Sequence, residues 1–341
     1  MRTQVPLAGF TTLRIGGPAD KLVEVTTEDE LITAVRDADA AGEPVLLLSG
    51  GSNVVIGDDG FRGTVIKIAT KGIKADADAC SGAMVHIQAG EDWDAVVQRA
   101  IAEEWSGLES MSGIPGLTGS TPVQNVGAYG HEVAETIASV RVWDRAESRI
   151  RTIFAADCGF AYRSSMFKSA PERFVVLEVA FQLKLGNLSA PIGYAELARV
   201  LDVDPGTRAP MTEVREAVLA LRRSKGMVLD AADHDTWSAG SFFTNPLLAT
   251  PAEVPAGAPQ WPQPDGRTKT SAAWLIEHAG IPKGFTLGAA AVSTKHTLAL
   301  TNRGTATAKD LLSLATHVRS QVHQAFAITL INEPVLVNCT L

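Results

Sequence analysis

Three polar side chains stand in settings that suit chemistry on a bound molecule. Arg163 lies in Tyr162-Arg163-Ser164-Ser165-Met166-Phe167-Lys168, where cations and aromatics are packed together. Ser241 lies in Gly240-Ser241-Phe242-Phe243-Thr244-Asn245-Pro246, a hydroxyl between a glycine and two large apolar residues. Glu333 lies in Ile331-Asn332-Glu333-Pro334-Val335, an acid among apolar neighbours. An arginine can hold negative charge as it develops, and a serine hydroxyl always carries a proton to give. Each residue taken alone fits a capped turn or a surface charge equally well.

Two glycine-rich stretches are the natural places for a ligand. Ser110–Gly130 contains no Asp, Glu, Lys or Arg in 21 residues, and Ser112–Gly130 holds five glycines and two prolines. A surface loop would carry more charge, so this segment is expected to press against something. Glycine lets backbone approach a ligand closely, and bare N–H groups can cradle phosphate. Gln124 and Asn125 add amides that can bond the edge of a heterocycle. Gly50-Gly51-Ser52-Asn53, after the apolar run Val45–Leu48, is a second cradle of this kind; a plain strand-ending turn explains it equally well.

Other signatures fail. There is no GxGxxG after a strand, no GxxxxGK[ST] and no GxSxG, so an ordinary Rossmann site, a P-loop and a nucleophile elbow are unsupported. His131-Glu132 lacks the second histidine of a zincin and reads as a solvated loop pair. His86, inside an alternating strand, reads as structural, and Trp274 and Leu275 as core. Three cysteines, Cys80, Cys158 and Cys339, are odd in number and show no CxxC spacing, which argues against a disulfide framework and a zinc site. A net charge of -8 with no basic stripe argues against nucleic acid. No apolar run nears the ~18 residues of a spanning helix, and no signal peptide is seen at the start. A reduced, cytoplasmic setting with no membrane partner is the expectation.

The elements that must hold these residues alternate in type. Lys21–Val25 is predicted as a strand, followed by a helix opened by the capping box Thr27-x-x-Glu30, with Gly42 past its end. A second helix carries Trp93, Val96, Val97, Ala100 and Ile101 on one face and ends near Gly107. Phe174–Leu185 alternates as a long strand. Helices from Thr212 and from about Thr307 follow, and Pro251–Pro264, with five prolines, reads as an exposed irregular loop. The class is α+β or mixed α/β, with a boundary near 186–225.

In their order along the chain, these segments resemble one family, the flavin-dependent UDP-N-acetylenolpyruvoylglucosamine reductases. The likeness runs from Thr12-Leu13-Arg14-Ile15-Gly16-Gly17, through Ser112-Gly113-Ile114-Pro115-Gly116, Gln124-Asn125-Val126-Gly127-Ala128-Tyr129-Gly130, Tyr162-Arg163 and Phe167-Lys168, to Glu333. It implies an α+β fold, with a two-lobed FAD-binding region of the vanillyl-alcohol-oxidase type and a smaller α+β substrate domain. The expected division is 1–70 and 71–225 for the two lobes, 226–320 for the substrate domain, and 321–341 for a return segment carrying Glu333.

The resemblance also implies the chemistry. FAD would be held non-covalently by Gly50, Gly51, Ser52, Asn53, Ile114, Pro115, Gly116, Ser120, Thr121, Gln124, Asn125, Gly127, Ala128 and Tyr129, with Arg222 adding charge. NADPH would supply the hydride that passes through the flavin to the vinyl carbon distal to the ether oxygen. Arg163 would stabilise the enolate-like charge that follows, Glu333 would polarise the carboxylate, and Ser241 would donate the completing proton. Tyr194, in Gly193-Tyr194-Ala195-Glu196-Leu197, matches a substrate-capping tyrosine of the type I branch; Lys225 and Asn245 match contacts to the substrate diphosphate.

The chain departs from the family pattern at Thr244, where many members have lysine, and at Glu277-His278, where Asp-Gln is expected, so that His278 is a substrate-contact candidate only by position. Two other readings stay open: an FAD-linked oxidase on the same fold, and a sugar-nucleotide-binding protein without catalysis. The sequence gives no oligomeric state and leaves a monomer open.

Overall fold

The computed structural model describes residues 1–341, which form two compact units. The first comprises 1–3, 20–50 and 62–224; the second comprises 4–19, 51–61 and 225–341. Residues 4–19 and 51–61, which the sequence places in a first lobe, thus pack with the C-terminal part, and the chain changes unit between Ser224 and Lys225. No helix is long and apolar enough to cross a membrane.

The first unit is built on antiparallel strands in the order Arg149–Phe154, Ile137–Asp144, Phe174–Leu185, Gly82–Gln88, Ile73–Asp78. The strand over Phe174–Leu185 agrees with the sequence, and it is long because Val175, Leu177, Val179, Phe181 and Leu183 all point into the core. A second sheet places Pro18–Val25, Phe61–Ile68 and Val45–Leu48 side by side. The helix Glu28–Ala40 opens on the predicted capping box, and Gly42 follows its end with φ 64°.

The helix Trp93–Ala102 buries Trp93, Val96, Val97 and Ala100, and the Trp93 ring lies 5.9 Å from that of Phe181. Burying Val96 and Val97 contributes roughly 1.5–3 kcal/mol each. This helix stops at Ala102, not near Gly107: Glu104 takes φ 56°, and the chain turns into the short strand Trp105–Ser106. A third apolar cluster, Ile192, Leu197, Val214 and Val218, joins the helices Ala195–Leu201 and Met211–Ser224.

In the second unit, strands Ser238–Ser241, Ala299–Asn302, Ala290–Val292 and Thr286–Leu287 are neighbours in that order. The helices Ala272–His278 and Ala308–Phe326 supply Leu275, Ile276, Leu311, Leu314, Val318 and Val322 to one core, joined by Leu13, Ile15 and Val55 from the N-terminal segments. Leu275 is fully buried as expected, whereas Trp274 is only partly so. The C-terminal strand Val335–Val337 runs parallel to Val54–Ile56, which brings Glu333 beside the Gly51–Asn53 turn.

The proline-rich stretch is not irregular throughout. Pro251–Glu253 forms a single turn, and Gln260–Pro262 is a strand paired with Thr268–Thr270. It lies at the edge of its three-stranded sheet, where a proline's missing N–H costs no ladder bond.

Candidate functional site

In the first unit the uncharged loop folds against the sheet through its own backbone. Thr118 and Gly119 N–H groups donate to the carbonyls of Glu91 and Ala89, and the Ser120 and Thr121 hydroxyls turn back onto Leu117 and Thr118. Ile114 packs against the core, while Pro115, Gly116 and Gln124 remain half-buried. Asn125 is buried at φ 48° and makes a hub: its amide donates to Glu132 Oε2 at 2.6 Å and to the Ala161 carbonyl at 3.2 Å, and its Oδ1 accepts from Ala134 N–H at 3.1 Å. His131-Glu132 is therefore no solvated pair. It is a strand against Gly127–Ala128, with the His131 side chain 12% exposed and Glu132 fastening the loop.

Arg163 is set by this same loop. Its backbone is left-handed at φ 53°, and its guanidinium donates to the carbonyls of Gly127 at 3.0 Å and Asn125 at 3.4 Å. Its own carbonyl accepts from Lys168 Nζ at 3.0 Å, so the Tyr162–Lys168 cluster is a support for one arginine.

Tyr129 and Tyr194 meet edge to face with ring centroids 5.4 Å apart. Burial pushes the Tyr129 hydroxyl up to about 12, against the pull of Arg222 nearby, so Tyr129 is neutral and a donor. Burial lowers the Arg222 guanidinium from its ordinary value, with Tyr129 and Asp94 acting in the opposite direction. Asp94 organises this corner: it takes both arms of Arg215 at 2.7 and 2.8 Å and accepts from the Gly113 N–H at 2.6 Å. Burial alone would raise the Asp94 carboxyl, but Arg215 and the Gly113 N–H hold it below the usual range. Sequence gave no sign of Asp94, an ordinary acid on a helix whose importance comes from two distant partners.

Gly50 completes this half. A Cβ there would lie 2.6 Å from Gly116 Cα, so two glycines let two backbones touch. Beside it the Ser49 hydroxyl is buried with no hydrogen-bond partner in the protein. An orphaned donor next to paired glycine backbones, an uncharged loop and a buried arginine fit a dinucleotide such as FAD.

The second unit carries Gly51, Ser52, Asn53, Ser241, Asn245, His278 and Glu333. Gly51 is left-handed at φ 60°, and a Cβ on it would strike the Phe10 carbonyl at 1.9 Å. Asn53 reaches the far end of the chain: its amide donates to the Glu333 carbonyl at 3.3 Å, and its carbonyl accepts from Val335 N–H at 3.0 Å. The Glu333 N–H in turn donates to the carbonyl of Phe242, the residue after Ser241, at 2.8 Å. Ser241 and Glu333 are thus brought to one place, both half-buried. Asn245 Oδ1 accepts from Ala272 N–H at 3.0 Å, at the start of the helix Ala272–His278 that Ser271 caps.

His278 is at the opposite end of that helix, about 10 Å away by helix rise. It stacks on Trp274 at 3.7 Å and bonds the Trp274 carbonyl through Nδ1 at 2.8 Å, while Glu277 accepts from Thr297. Asn245 and His278 are not brought together. Lys225 opens the second unit directly after the helix that bears Arg222.

Known proteins decide the family. The profile described as UDP-N-acetylenolpyruvoylglucosamine reductase, C-terminal domain, matches residues 231–337, and that of an FAD binding domain matches 19–153. The chain is 57% identical over 340 residues to the UDP-N-acetylenolpyruvoylglucosamine reductase of Cutibacterium acnes, covering 99% of this chain and 90% of that one. It belongs to the UDP-N-acetylenolpyruvoylglucosamine reductase family. The reductase of that name from Thermobifida fusca is 53% identical, with 99% of this chain and 98% of the other covered. The crystal structure of the Thermus caldophilus enzyme superposes with a TM-score of 0.67 at 26% identity, over 98% of this chain and 97% of that one. The expected α+β fold, with an FAD-binding region and a C-terminal domain of its own, is the fold observed.

Proposed function

We infer that this protein is an FAD-dependent oxidoreductase that reduces the enolpyruvyl ether of a UDP-N-acetylglucosamine to the lactyl ether, UDP-N-acetylmuramate, a peptidoglycan precursor, with NADPH as hydride source. The observation that carries the reading is the end-to-end match to reductases of that name. Bound FAD supplies a two-electron carrier that takes hydride from one molecule and gives it to another.

The rest is the work of side chains. The backbone of Gly50, Gly51, Ser52, Asn53 and Ile114–Tyr129 cradles the cofactor, and Arg222 contributes charge. On hydride addition to the terminal vinyl carbon, negative charge grows on the carbon bearing the ether oxygen and on its carboxylate. Arg163, its guanidinium oriented by the Gly127 and Asn125 carbonyls, stabilises that charge. Glu333 polarises the same carboxylate. Ser241 Oγ gives its proton to the carbon bearing the ether oxygen, a centre basic enough for a hydroxyl to serve as acid. Tyr194, Lys225 and Asn245 bind the sugar nucleotide. His278, stacked on Trp274, enters only as a ring whose Nε2 faces away from its own helix bond.

An anaerobic visible spectrum tests the proposal. Flavin absorbance should bleach on addition of NADPH and return on addition of the UDP-linked enolpyruvyl sugar. A band that returns only with oxygen would replace the reductase by an oxidase, and a protein that takes up no FAD would remove the cofactor from the account.

A further inference from the structure

The hairpin that closes the uncharged loop carries a side chain outside the proposed chemistry. Gly127–Ala128 and His131–Glu132 pair across a two-residue turn in which Tyr129 and Gly130 take φ 51° and 88°. From the end of this hairpin the His131 ring reaches the segment before Tyr194. Its Nε2 lies 3.0 Å from the Pro191 carbonyl and its Nδ1 lies 2.7 Å from Glu135 Oε2. A carbonyl can only accept, so Nε2 donates to Pro191, and the other ring nitrogen meets the Glu135 carboxyl. Glu135 is itself fixed, since its other oxygen accepts from Glu132 N–H at 2.9 Å; the Glu132 carboxylate is turned the other way, onto Asn125.

The segment is also held at Ser189 by Ala209, at Ala190 by Glu109 Oε1 at 2.6 Å and at Ile192 by Thr207 and Gly206, and Tyr194 leads into the helix Ala195–Leu201. His131 adds the side-chain bond at Pro191, next to the exposed Gly193 and Tyr194. A Cβ on Gly130 would lie 3.6 Å from Tyr194 N, so the turn itself lies under the tyrosine. The opposite strand of the hairpin supplies the Gly127 carbonyl that receives Arg163.

We propose that His131 is a positioning residue for the sugar-nucleotide substrate: it fastens the segment 186–194 to the hairpin, and so fixes Tyr194 relative to the loop that sets Arg163. The proposal rests on the reading of Tyr194 as a substrate contact. It concerns binding of substrate, and neither FAD binding nor flavin reduction depends on it.

Full-length holoenzyme carrying His131→Ala, His131→Gln, Tyr194→Phe, or His131→Ala with Tyr194→Phe tests it. The readouts are the FAD Kd, the anaerobic rate of bleaching by NADPH, the Kd of the UDP-linked enolpyruvyl sugar, and hydrogen exchange. His131→Ala should weaken sugar-nucleotide binding on the order of tenfold, the worth of one hydrogen bond. Its FAD Kd and bleaching rate should equal those of the wild type. His131→Gln keeps one donor for the Pro191 carbonyl and should recover part of the loss. The double variant should bind substrate no worse than the weaker of the two single variants, because both act through one element. Exchange in His131→Ala should speed up within 186–194, beyond any change in 132–135, where Glu135 loses its contact with the ring.

If Tyr194→Phe weakens substrate while His131→Ala leaves both affinity and exchange unchanged, the tyrosine reading stands and the fastening role is overturned. Unchanged affinity in Tyr194→Phe overturns the tyrosine reading and the proposal with it. Equal losses of FAD and substrate binding in His131→Ala would make His131 a residue of general stability.

Discussion

The Glu333 N–H donates to the Phe242 carbonyl over 2.8 Å, tying the C-terminal segment to the strand end that carries Ser241. One backbone bond thus sets Glu333 beside the residue that follows Ser241. Asn53 supports the arrangement from below through the Glu333 carbonyl. Neither side chain needs its own scaffold, because the sheet edge and the returning strand bring both.

Ser241→Ala should separate the two halves of the reaction. Bleaching of the flavin by NADPH needs no proton from the serine and should keep its rate. Return of the flavin band with the enolpyruvyl sugar should slow by roughly 10²–10⁴, the usual worth of a placed acid. Stopped-flow absorbance at the flavin band measures both. Equal slowing of the two phases would make Ser241 a folding or binding residue.

Gly50→Ala tests the cofactor cradle by steric means alone. The added methyl would meet Gly116 Cα at 2.6 Å, closer than real contacts allow, so one of the two backbones must shift. FAD affinity should fall by at least about tenfold, with helix content by circular dichroism retained. Full FAD occupancy in Gly50→Ala would mean that the two loops do not hold the cofactor together.

Asp94→Asn tests whether the glycine-rich loop is fixed through its first glycine. Asparagine keeps the size but gives up the charge, and its single amide oxygen cannot take both arms of Arg215 while serving the Gly113 N–H. The apoprotein should lose about 2 kcal/mol of stability. If the loop is the link, FAD affinity falls as well, and excess FAD restores part of the lost Tm. A stability loss with an unchanged FAD Kd would leave Asp94 as a brace between helices and nothing more.

Much of this was legible in the sequence because the signals were local. The capping box at Thr27, the alternation from Phe174 to Leu185 and the apolar stripes of the long helices each depend on neighbours a few residues apart. The charge-free run Ser110–Gly130 marked a buried loop for the same reason. What escaped depends on distant partners. His131-Glu132 looks like a solvated pair until Asn125 and Pro191 are placed against it. The helix after Trp93 ends early because Glu104 turns left-handed, which no capping residue announces. Gln260–Pro262 becomes a strand only because Thr268–Thr270 is there to pair with it. The catalytic candidates were placed by family likeness, since an isolated serine or glutamate has no periodicity to read.

Asp144 gives a prediction in pH that is independent of the cofactor. Its side chain is buried and accepts from Arg173 at 2.8 Å and from Arg151 at 2.9 Å, with the backbone N–H groups of Ala146 and Glu147 on its other oxygen. Arg173 above all, against the effect of burial, pushes the carboxyl down to about 2. An unfolded aspartate titrates near ~3.9, so the folded state holds the charged form more strongly. The sign follows: this stabilisation is complete above about pH 4 and is lost as the pH falls toward 2. Asp144→Asn should therefore cost about 2 kcal/mol at pH 7, and the gap to wild type should narrow as urea melts are repeated from pH 4.5 down to pH 2.5. The variant keeps the side-chain volume, so packing is not at issue. A gap of constant size across that range would mean that the carboxylate charge contributes nothing, and that the loss comes from hydrogen-bond geometry alone.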